Sequence, residues 1–168
     1  MTDAERRVAL ITGCSTGIGR ALVRAFLDRG LRVVATARRV EALEGLASDR
    51  VLTLPLDVTD PAEIETAVTR TVEWADRVDF LVNNAGYGLI GPVAELDADD
   101  LRRQFETNVV GLVAAIRAVV PQMAARGGGC IINIGSVSSL LATPYGGAYS
   151  ASKAAVHLLS DALRPEVA

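Results

Sequence analysis

The sequence predicts an α/β fold with a doubly wound, mostly parallel sheet, in a single domain of residues 1–168. Short apolar runs alternate with segments whose apolar residues recur at helical spacing. Buried strands that alternate with helices are joined by right-handed crossovers and form a parallel sheet covered on both faces. Half of the residues are hydrophobic and 22% are charged, which is typical of a globular protein and excludes disordered and collagen-like classes.

Ten elements are predicted in order along the chain. Five strands are predicted from short buried runs, at residues 8–12, 33–37, 51–56, 78–82 and 130–134. Five helices are predicted between and after them, at residues 18–27, 40–47, 60–74, 99–125 and 148–163.

Residues at the helix ends support these boundaries. Asp60, Pro61 and Glu63 fit the N-cap, the first-turn proline and the N3 acid of a helix. Carboxylates at residues 97–100 lie where the positive end of the next helix favours them. Glycines at residues 127–129 end that helix before the fifth strand.

Charge and histidine content exclude several classes of function. The formal net charge of −3 provides no basic field for gripping nucleic acid. A single histidine and two distant cysteines, Cys14 and Cys130, do not form a zinc site or a disulfide framework, which suits a reducing compartment. We therefore expect neither a metal nor a nucleic-acid partner.

Apolar segments predict neither a membrane span nor a secretory signal. The N-terminus reads MTDAERR, and the apolar run at residues 109–116 stops at Arg117. We expect a cytoplasmic protein.

A glycine-rich turn follows the first strand directly. Residues 12–19 read TGCSTGIG, and the next helix begins where this turn ends. Backbone amides and the helix dipole there favour a pyrophosphate, and glycines let the main chain approach it. The spacing is GxxxGxG and lacks the lysine of a P-loop, which argues against an ATPase. A purely structural turn is the alternative. The residues expected to bind a dinucleotide here are Gly13, Ser15, Thr16, Gly17, Ile18 and Gly19.

The end of the second strand favours NADP(H) over NAD(H). An NAD site usually has an acidic residue there for the adenosine ribose, but this segment reads Thr36-Ala37-Arg38-Arg39. A guanidinium suits bidentate contact with a 2′-phosphate, so we assign Arg38 to it. The alternative is that both arginines are solvated.

A tyrosine and the chain's single lysine start the last helix. Tyr149 and Lys153 are four residues apart, on one helix face. A nearby cation favours the ionised form of a phenol, which lets it exchange a proton at a working pH. Ser136 lies just beyond the fifth strand, and ligands of such sheets bind outside the carboxyl ends of strands. We expect Ser136 and the glycine turn to share one crevice.

Six motifs in order resemble the short-chain dehydrogenase/reductase family. They are TGCSTGIG at 12–19, Asp57 after the third strand, NNAG at 83–86, Asn108 in TNVVG, Ser136 in NIGS and YSASK at 149–153. They span the whole chain, and its four asparagines and its one lysine all fall inside them.

The resemblance implies a Rossmann-type fold and a role for each matched residue. Tyr149 would be the general acid or base, and Lys153 would lower its pKa and hold the nicotinamide ribose. Ser136 would hydrogen-bond the substrate oxygen, and Asn108 would complete a proton relay. The reaction implied moves a hydride between NADP(H) and a carbonyl compound or secondary alcohol. Further cofactor-binding residues implied are Asp57, Val58, Asn84, Ala85, Gly86, Tyr149 and Lys153.

The resemblance also implies a class of substrate and a longer chain in other members of the family. Apolar loop residues suit a lipid-like, steroid-like or retinoid-like carbonyl compound, as in members similar to hydroxysteroid, retinol and acyl-dihydroxyacetone-phosphate reductases. Family members run further, adding two strands and a mobile segment, which implies that this chain is truncated at its C-terminus and that its fifth strand is an edge. The loop residues are Tyr87, Leu89, Leu140, Leu141 and Tyr145.

Two other functions stay open from the sequence. One is a non-catalytic module that senses NADP(H) or engages a partner, which a short C-terminus favours and the complete set of motif residues disfavours. The other is a purely structural interaction domain, which would bind no cofactor. Members of the family usually form homo-oligomers through helices 99–125 and 148–163, and the resemblance implies such an assembly here.

Overall fold

A five-stranded parallel sheet forms the centre of the computed structural model, which describes residues 7–167. The strand order is β3-β2-β1-β4-β5. The strands are β1 (Val8–Ile11), β2 (Arg32–Ala37), β3 (Val51–Pro55), β4 (Phe80–Asn83) and β5 (Cys130–Asn133). The helices are α1 (Gly17–Asp28), α2 (Pro61–Ala75), α3 (Ala98–Phe105), α4 (Gly111–Ala125) and α5 (Gly147–Glu166). The predicted fold class is confirmed.

Strand β1 is the point where the strand order changes direction. Ala9 of β1 lies beside Val33 of β2 on one side and Phe80 of β4 on the other. In a parallel sheet, a crevice forms outside the carboxyl ends of the strands at such a point. The glycine turn after β1 and the NNAG segment after β4 therefore border the same crevice.

The sheet is covered on both faces. Helices α2, α4 and α5 pack on one face, with Val68, Val119 and Val156 in that core. Helix α1 packs on the other, where the rings of Phe26 and Phe80 meet edge to face with centroids 5.6 Å apart. Strand β5 lies at the edge of the sheet, as expected.

Two predicted helices differ in the structure. The short helix expected at residues 40–47 is a 3₁₀ turn, Val40–Leu43, because Glu44 turns extended and Gly45 takes a left-handed φ of 78°. The helix expected at residues 99–125 is divided into α3 and α4 by a π-helical turn, Glu106–Val110. Such turns are frequent at functional sites.

One helical stretch bears on the question of a membrane. Within residues 7–167, one helical stretch, Ala98–Ala125, is long and apolar enough to cross a bilayer by length and composition, because an 18-residue window inside it has a mean hydropathy of 1.5. Core helices pass the same test, and Leu112, Ile116 and Val119 of this stretch are buried against the sheet. The stretch is weak support for a span.

Gly111 permits helix α4 to approach the loop after β3. A β-carbon built on Gly111 would lie 2.4 Å from the main-chain oxygen of Val58, which is shorter than any contact allows. We predict that Gly111→Ala lowers the free energy of unfolding by about 1–3 kcal/mol, because helix and loop must separate. Urea denaturation measures this. Gly135→Ala is the matched control, since a β-carbon there meets open space. Equal stability of the two variants would contradict this packing.

Candidate active site

The glycine turn packs against the turn after β4 without room for side chains. Gly13 has a φ of 74°, and a β-carbon on it would lie 2.9 Å from Ala85 Cα. One on Gly19 would lie 2.3 Å from the oxygen of Gly13. Asn84 Nδ2 donates to the oxygens of Thr12 and Gly13 at 2.9 and 3.0 Å, and Thr12 Oγ1 accepts from the amide of Asn84. The two turns therefore hold each other in place.

The N-terminus of helix α1 presents free amides. Thr16 is the N-cap and makes no side-chain capping bond. In the described part of the chain, the amides of Gly17, Ile18 and Gly19 make no hydrogen bond. Gly17 and Ile18 are exposed and line the cleft described below, whereas Gly19 is buried. This arrangement fits the pyrophosphate of a dinucleotide, whose charge the amides and the helix dipole favour.

A cleft of about 920 Å³ lies along the carboxyl ends of the strands. It is lined by every residue predicted to bind the cofactor except Gly19, which is buried. Those residues are Gly13, Ser15, Thr16, Gly17, Ile18, Arg38, Asp57, Val58, Asn84, Ala85, Gly86, Tyr149 and Lys153.

Lys153 is buried in this cleft. Its Nζ donates to the oxygen of Ile134, at the end of β5, at a distance of 2.7 Å. It also lies 5.9 Å from the centroid of the Tyr149 ring. Burial lowers the pKa of the Lys153 ammonium, because desolvation disfavours the charged form. One strand end and one helix face together position the chain's single lysine.

Asn108 lies in the π-helical turn, behind the cleft. Its Nδ2 donates to the oxygen of Tyr87 at 2.9 Å, and its Oδ1 accepts from the amide of Tyr87 at 3.0 Å. A β-carbon on Gly86 would be 3.0 Å from Asn108 Oδ1 and 3.8 Å from Lys153 Nζ. One on Gly88 would be 3.6 Å from Cδ2 of Tyr149. The backbone of residues 86–88 therefore runs between Asn108 and the pair Tyr149 and Lys153.

Ser136 caps the turn that follows β5. It precedes the 3₁₀ turn Val137–Ser139, and its Oγ accepts from the amide of Ser138 at 3.1 Å. It does not line the cleft, although its neighbour Gly135 does. Of the four residues predicted to be catalytic, the structure brings Asn108, Tyr149 and Lys153 together. The role of Ser136 stays a prediction.

The residues expected to lie near the adenosine of a bound coenzyme differ in their partners. Arg38 and Arg39 are both exposed, and neither side chain makes an ion pair or hydrogen bond within residues 7–167. Arg38 lines the cleft and Arg39 does not. Asp57 Oδ1 accepts from the amide and hydroxyl of Thr59 at 2.9 and 2.7 Å. The amide of Asp57 donates to Glu63 at 2.6 Å, which fixes the loop at the foot of α2.

Two buried polar residues of the site are absent from the sequence-based prediction of function. Ser152 accepts from Asn108 Nδ2 at 3.0 Å and donates to the oxygen of Tyr149 at 2.8 Å. Gln104 donates through Nε2 to the oxygen of Tyr87 at 2.9 Å. The sequence feature that could have indicated Gln104 is its spacing, because Gln104 precedes Asn108 by about one helical turn. Further cleft residues missed are Thr59, Arg103, Glu106, Thr107 and Ile134.

The cysteines differ in their burial, and the described acidic residues form no metal-binding cluster with them. Burial raises the pKa of the Cys14 thiol to about 12, and its Sγ donates to the oxygen of Ile11 at 3.2 Å. Cys14 is therefore a packing residue at neutral pH. Cys130 is an exposed free thiol. From Arg7 to Val167, no group of three or more His, Cys, Asp or Glu side chains could hold a metal ion.

Comparison with known families identifies the class to which this fold and cleft belong. The family model described as short chain dehydrogenase matches residues 7–168, and the chain belongs to that family. The resemblance found in the sequence motifs is confirmed.

Individual relatives cover nearly all of this chain. A short-chain dehydrogenase, PC-15, of Penicillium crustosum is 45% identical over 167 residues, which are 97% of this chain and 61% of the relative. The closed form of serine dehydrogenase complexed with NADP⁺ has a TM-score of 0.88 at 36% identity, covering 95% of this chain and 66% of that one. NAD⁺-bound xylitol dehydrogenase has a TM-score of 0.93 at 28% identity, covering 99% and 66%. The chain therefore spans about three fifths of the length of such curated relatives.

Because Lys153 is the only lysine, its titration can be followed without assignment. We predict that the single ε-carbon signal of a lysine-labelled sample titrates below the ordinary midpoint of about 10.4, owing to burial. Unfolding in urea should return the midpoint to that value. A folded midpoint at or above the urea midpoint would contradict the burial of this ammonium.

The same shift has a consequence for stability. Between the folded and unfolded pKa values of Lys153, the folded chain binds fewer protons than the unfolded chain. The free energy of unfolding contributed by this group therefore rises with pH across that interval. Lys153→Met should remove this rise in urea denaturation measured at a series of pH values.

Proposed function

We propose that this chain is a dinucleotide-binding and catalytic domain that moves a hydride between NADP(H) and a carbonyl compound or secondary alcohol. Tyr149 is its general acid and base. The observation that carries the proposal is the position of Lys153, buried between the ring of Tyr149 and the end of β5. The same cleft holds the free amides of the glycine turn. Membership of the short-chain dehydrogenase family supports hydride transfer.

In the direction of reduction, Tyr149 supplies the proton. A bound nicotinamide supplies the hydride that forms the new C–H bond at the carbonyl carbon. As the C=O double bond opens, its electron pair moves to oxygen, and that oxygen takes the proton of the Tyr149 hydroxyl. In oxidation, Tyr149 accepts the proton of the alcohol. Ser136 is proposed to hydrogen-bond the substrate oxygen.

Lys153 and Asn108 prepare the site for this transfer. An ammonium has three donors, and Ile134 takes one from Lys153. The other donors of Lys153 are then free for a ribose hydroxyl and for the tyrosine oxygen. Asn108 uses both amide protons and its oxygen on Tyr87 and Ser152, so its side chain holds the backbone beside Tyr149. Its part in a proton relay is proposed from the family resemblance alone.

Arg38 supports the preference for NADP(H). It lines the cleft at the end of β2, is exposed, and has no partner within residues 7–167. A guanidinium free of carboxylates is suited to a 2′-phosphate. The relatives include complexes with both coenzymes, serine dehydrogenase with NADP⁺ and xylitol dehydrogenase with NAD⁺.

Apolar loop residues support an apolar substrate of lipid, steroid or retinoid type. Tyr87, Leu140, Leu141 and Tyr145 are exposed, and they belong to the two loops that adjoin Tyr149 in sequence and space. The amide of Gly91 donates to the oxygen of Tyr145 at 2.8 Å, which joins the two loops into one surface. Uncharged side chains at such a surface favour apolar ligands.

Assembly and location belong to the proposal as well. Val110, Leu158 and Leu159 are exposed on the helices expected to form a homo-oligomer. Exposed apolar side chains on helices suit an interface between copies. We propose a cytoplasmic protein without a membrane span.

The role of Tyr149 predicts a selective defect. Tyr149→Phe should lower kcat by about a thousandfold, because the phenolic proton is lost while the ring remains. Steady-state oxidation of NADPH against a panel of ketones and aldehydes measures kcat, and fluorescence titration measures the Kd for NADPH. We expect that Kd to change less than about twofold, since the variant keeps every group proposed to hold the phosphates. Wild-type turnover in Tyr149→Phe would exclude this tyrosine as the acid.

Arg38 and Arg39 form a matched pair for coenzyme preference. Arg38→Ala should weaken NADPH binding about 10- to 100-fold, because charged hydrogen bonds to the 2′-phosphate are lost. Binding of NADH, which has no such phosphate, should stay the same. Arg39→Ala should leave both dissociation constants within about twofold, because Arg39 lies outside the cleft. Equal effects of the two substitutions would contradict the assignment of Arg38.

A further inference from the structure

Gln104 is a buried residue whose presence the proposed function does not explain. It is fully buried, and it is the one buried residue of helix α3. Its Oε1 has no hydrogen-bond partner among the described residues. An amide carbonyl buried in this way costs free energy that an apolar side chain of the same size would avoid. What distinguishes Gln104 from such a side chain is the bond made by its Nε2.

That bond ends on a peptide group already held by Asn108. The oxygen of Tyr87 accepts from Gln104 Nε2 and from Asn108 Nδ2, each at 2.9 Å. A carbonyl oxygen has two lone pairs, so the two side-chain amides saturate it. The amide of Tyr87 donates to Asn108 Oδ1 at 3.0 Å. Three side-chain bonds thus fix the backbone groups of a single residue.

Tyr87 stands between the two glycines that border the reacting residues. On one side, a β-carbon on Gly86 would lie 3.8 Å from Lys153 Nζ. On the other, one on Gly88 would lie 3.6 Å from the ring of Tyr149. A shift of the Tyr87 peptide therefore moves the backbone that rests against Tyr149.

We propose that Gln104 is a positioning residue of this site. By donating to the oxygen of Tyr87, it clamps the backbone of residues 86–88 between Asn108 and Tyr149, and so fixes the Tyr149 ring for proton transfer. The catalytic consequence rests on the proposed function. The clamp itself is a property of the chain alone and can be measured without coenzyme or substrate.

Hydrogen exchange of the Tyr87 amide tests the clamp. Gln104→Leu removes the donor and the unpartnered oxygen with little change in volume. We expect the Tyr87 amide to exchange about tenfold faster than in the wild type, as measured by NMR. Thr71→Val is the matched control, because Thr71 is equally buried but bonds only within its own helix α2. Wild-type exchange in Gln104→Leu would overturn the clamp.

Gln104→Glu supplies a second test that keeps the shape of the side chain. A carboxylate cannot donate to the oxygen of Tyr87, whereas a protonated carboxyl can. The exchange rate relative to wild type should be raised about tenfold at pH 8 and return toward one as pH falls to about 5. A ratio that does not change with pH would overturn the donor role of Gln104.

Turnover then tests the catalytic consequence. Gln104→Leu should lower kcat about tenfold and leave the Kd for NADPH within about twofold, whereas Thr71→Val should keep both. An unchanged kcat in Gln104→Leu, or an equal fall in Thr71→Val, would overturn the positioning role. If the wild-type chain showed no turnover, the proposed function would fail, and the exchange measurements would still decide the clamp.

Discussion

A lysine ammonium held in a cleft by one main-chain oxygen is the interaction on which the site depends. Burial disfavours the charge of Lys153, as its lowered pKa indicates, so the fold must supply a partner. That partner is the oxygen of Ile134, which is left free because β5 ends there. The helix that carries Lys153 also carries Tyr149, four residues earlier. Strand β5 and helix α5 must therefore both be in place before the buried ammonium has its acceptor.

Close packing of backbone at the carboxyl ends of β1 and β4 is the second constraint. Gly13 and Gly19 have no space for side chains, and Asn84 satisfies the oxygens that this packing buries. Within residues 7–167, the amides of Gly17 and Ile18 at the start of α1 have no partner, and both residues line the cleft. Side-chain amides also satisfy buried polar groups elsewhere in the site, because a short planar amide can pair with a donor and an acceptor at once. Asn83 and Asn133 extend this pattern by pairing across β4 and β5 at 2.9 Å.

The sequence predicts the strands and most helices of this molecule well. It does not predict the side-chain hydrogen bonds that hold the site together. Short apolar runs predict all five strands, and capping residues support the helix boundaries. The spacing of Tyr149 and Lys153 predicts their shared helix face. These features depend on local sequence patterns. The π-helical turn and the bond from Gln104 to Tyr87 depend on contacts between segments distant in sequence, which periodicity does not contain. The prediction of a helix at residues 40–47 was wrong, because the segment forms one 3₁₀ turn that ends before Gly45, which has a left-handed φ. Ser136 illustrates the same limit, since its position beyond β5 predicts the correct end of the sheet without predicting which way its hydroxyl bonds.

The cleft around Tyr149 and Lys153 is proposed to transfer a hydride to a carbonyl carbon. Reaction with NADPH that carries deuterium at both hydrogens of C4, against a panel of apolar ketones and aldehydes, tests this by mass spectrometry of the alcohol formed. We expect an alcohol one mass unit heavier than the one formed with unlabelled NADPH, with the deuterium on the former carbonyl carbon. An alcohol without deuterium, or no alcohol from any member of the panel, would contradict it.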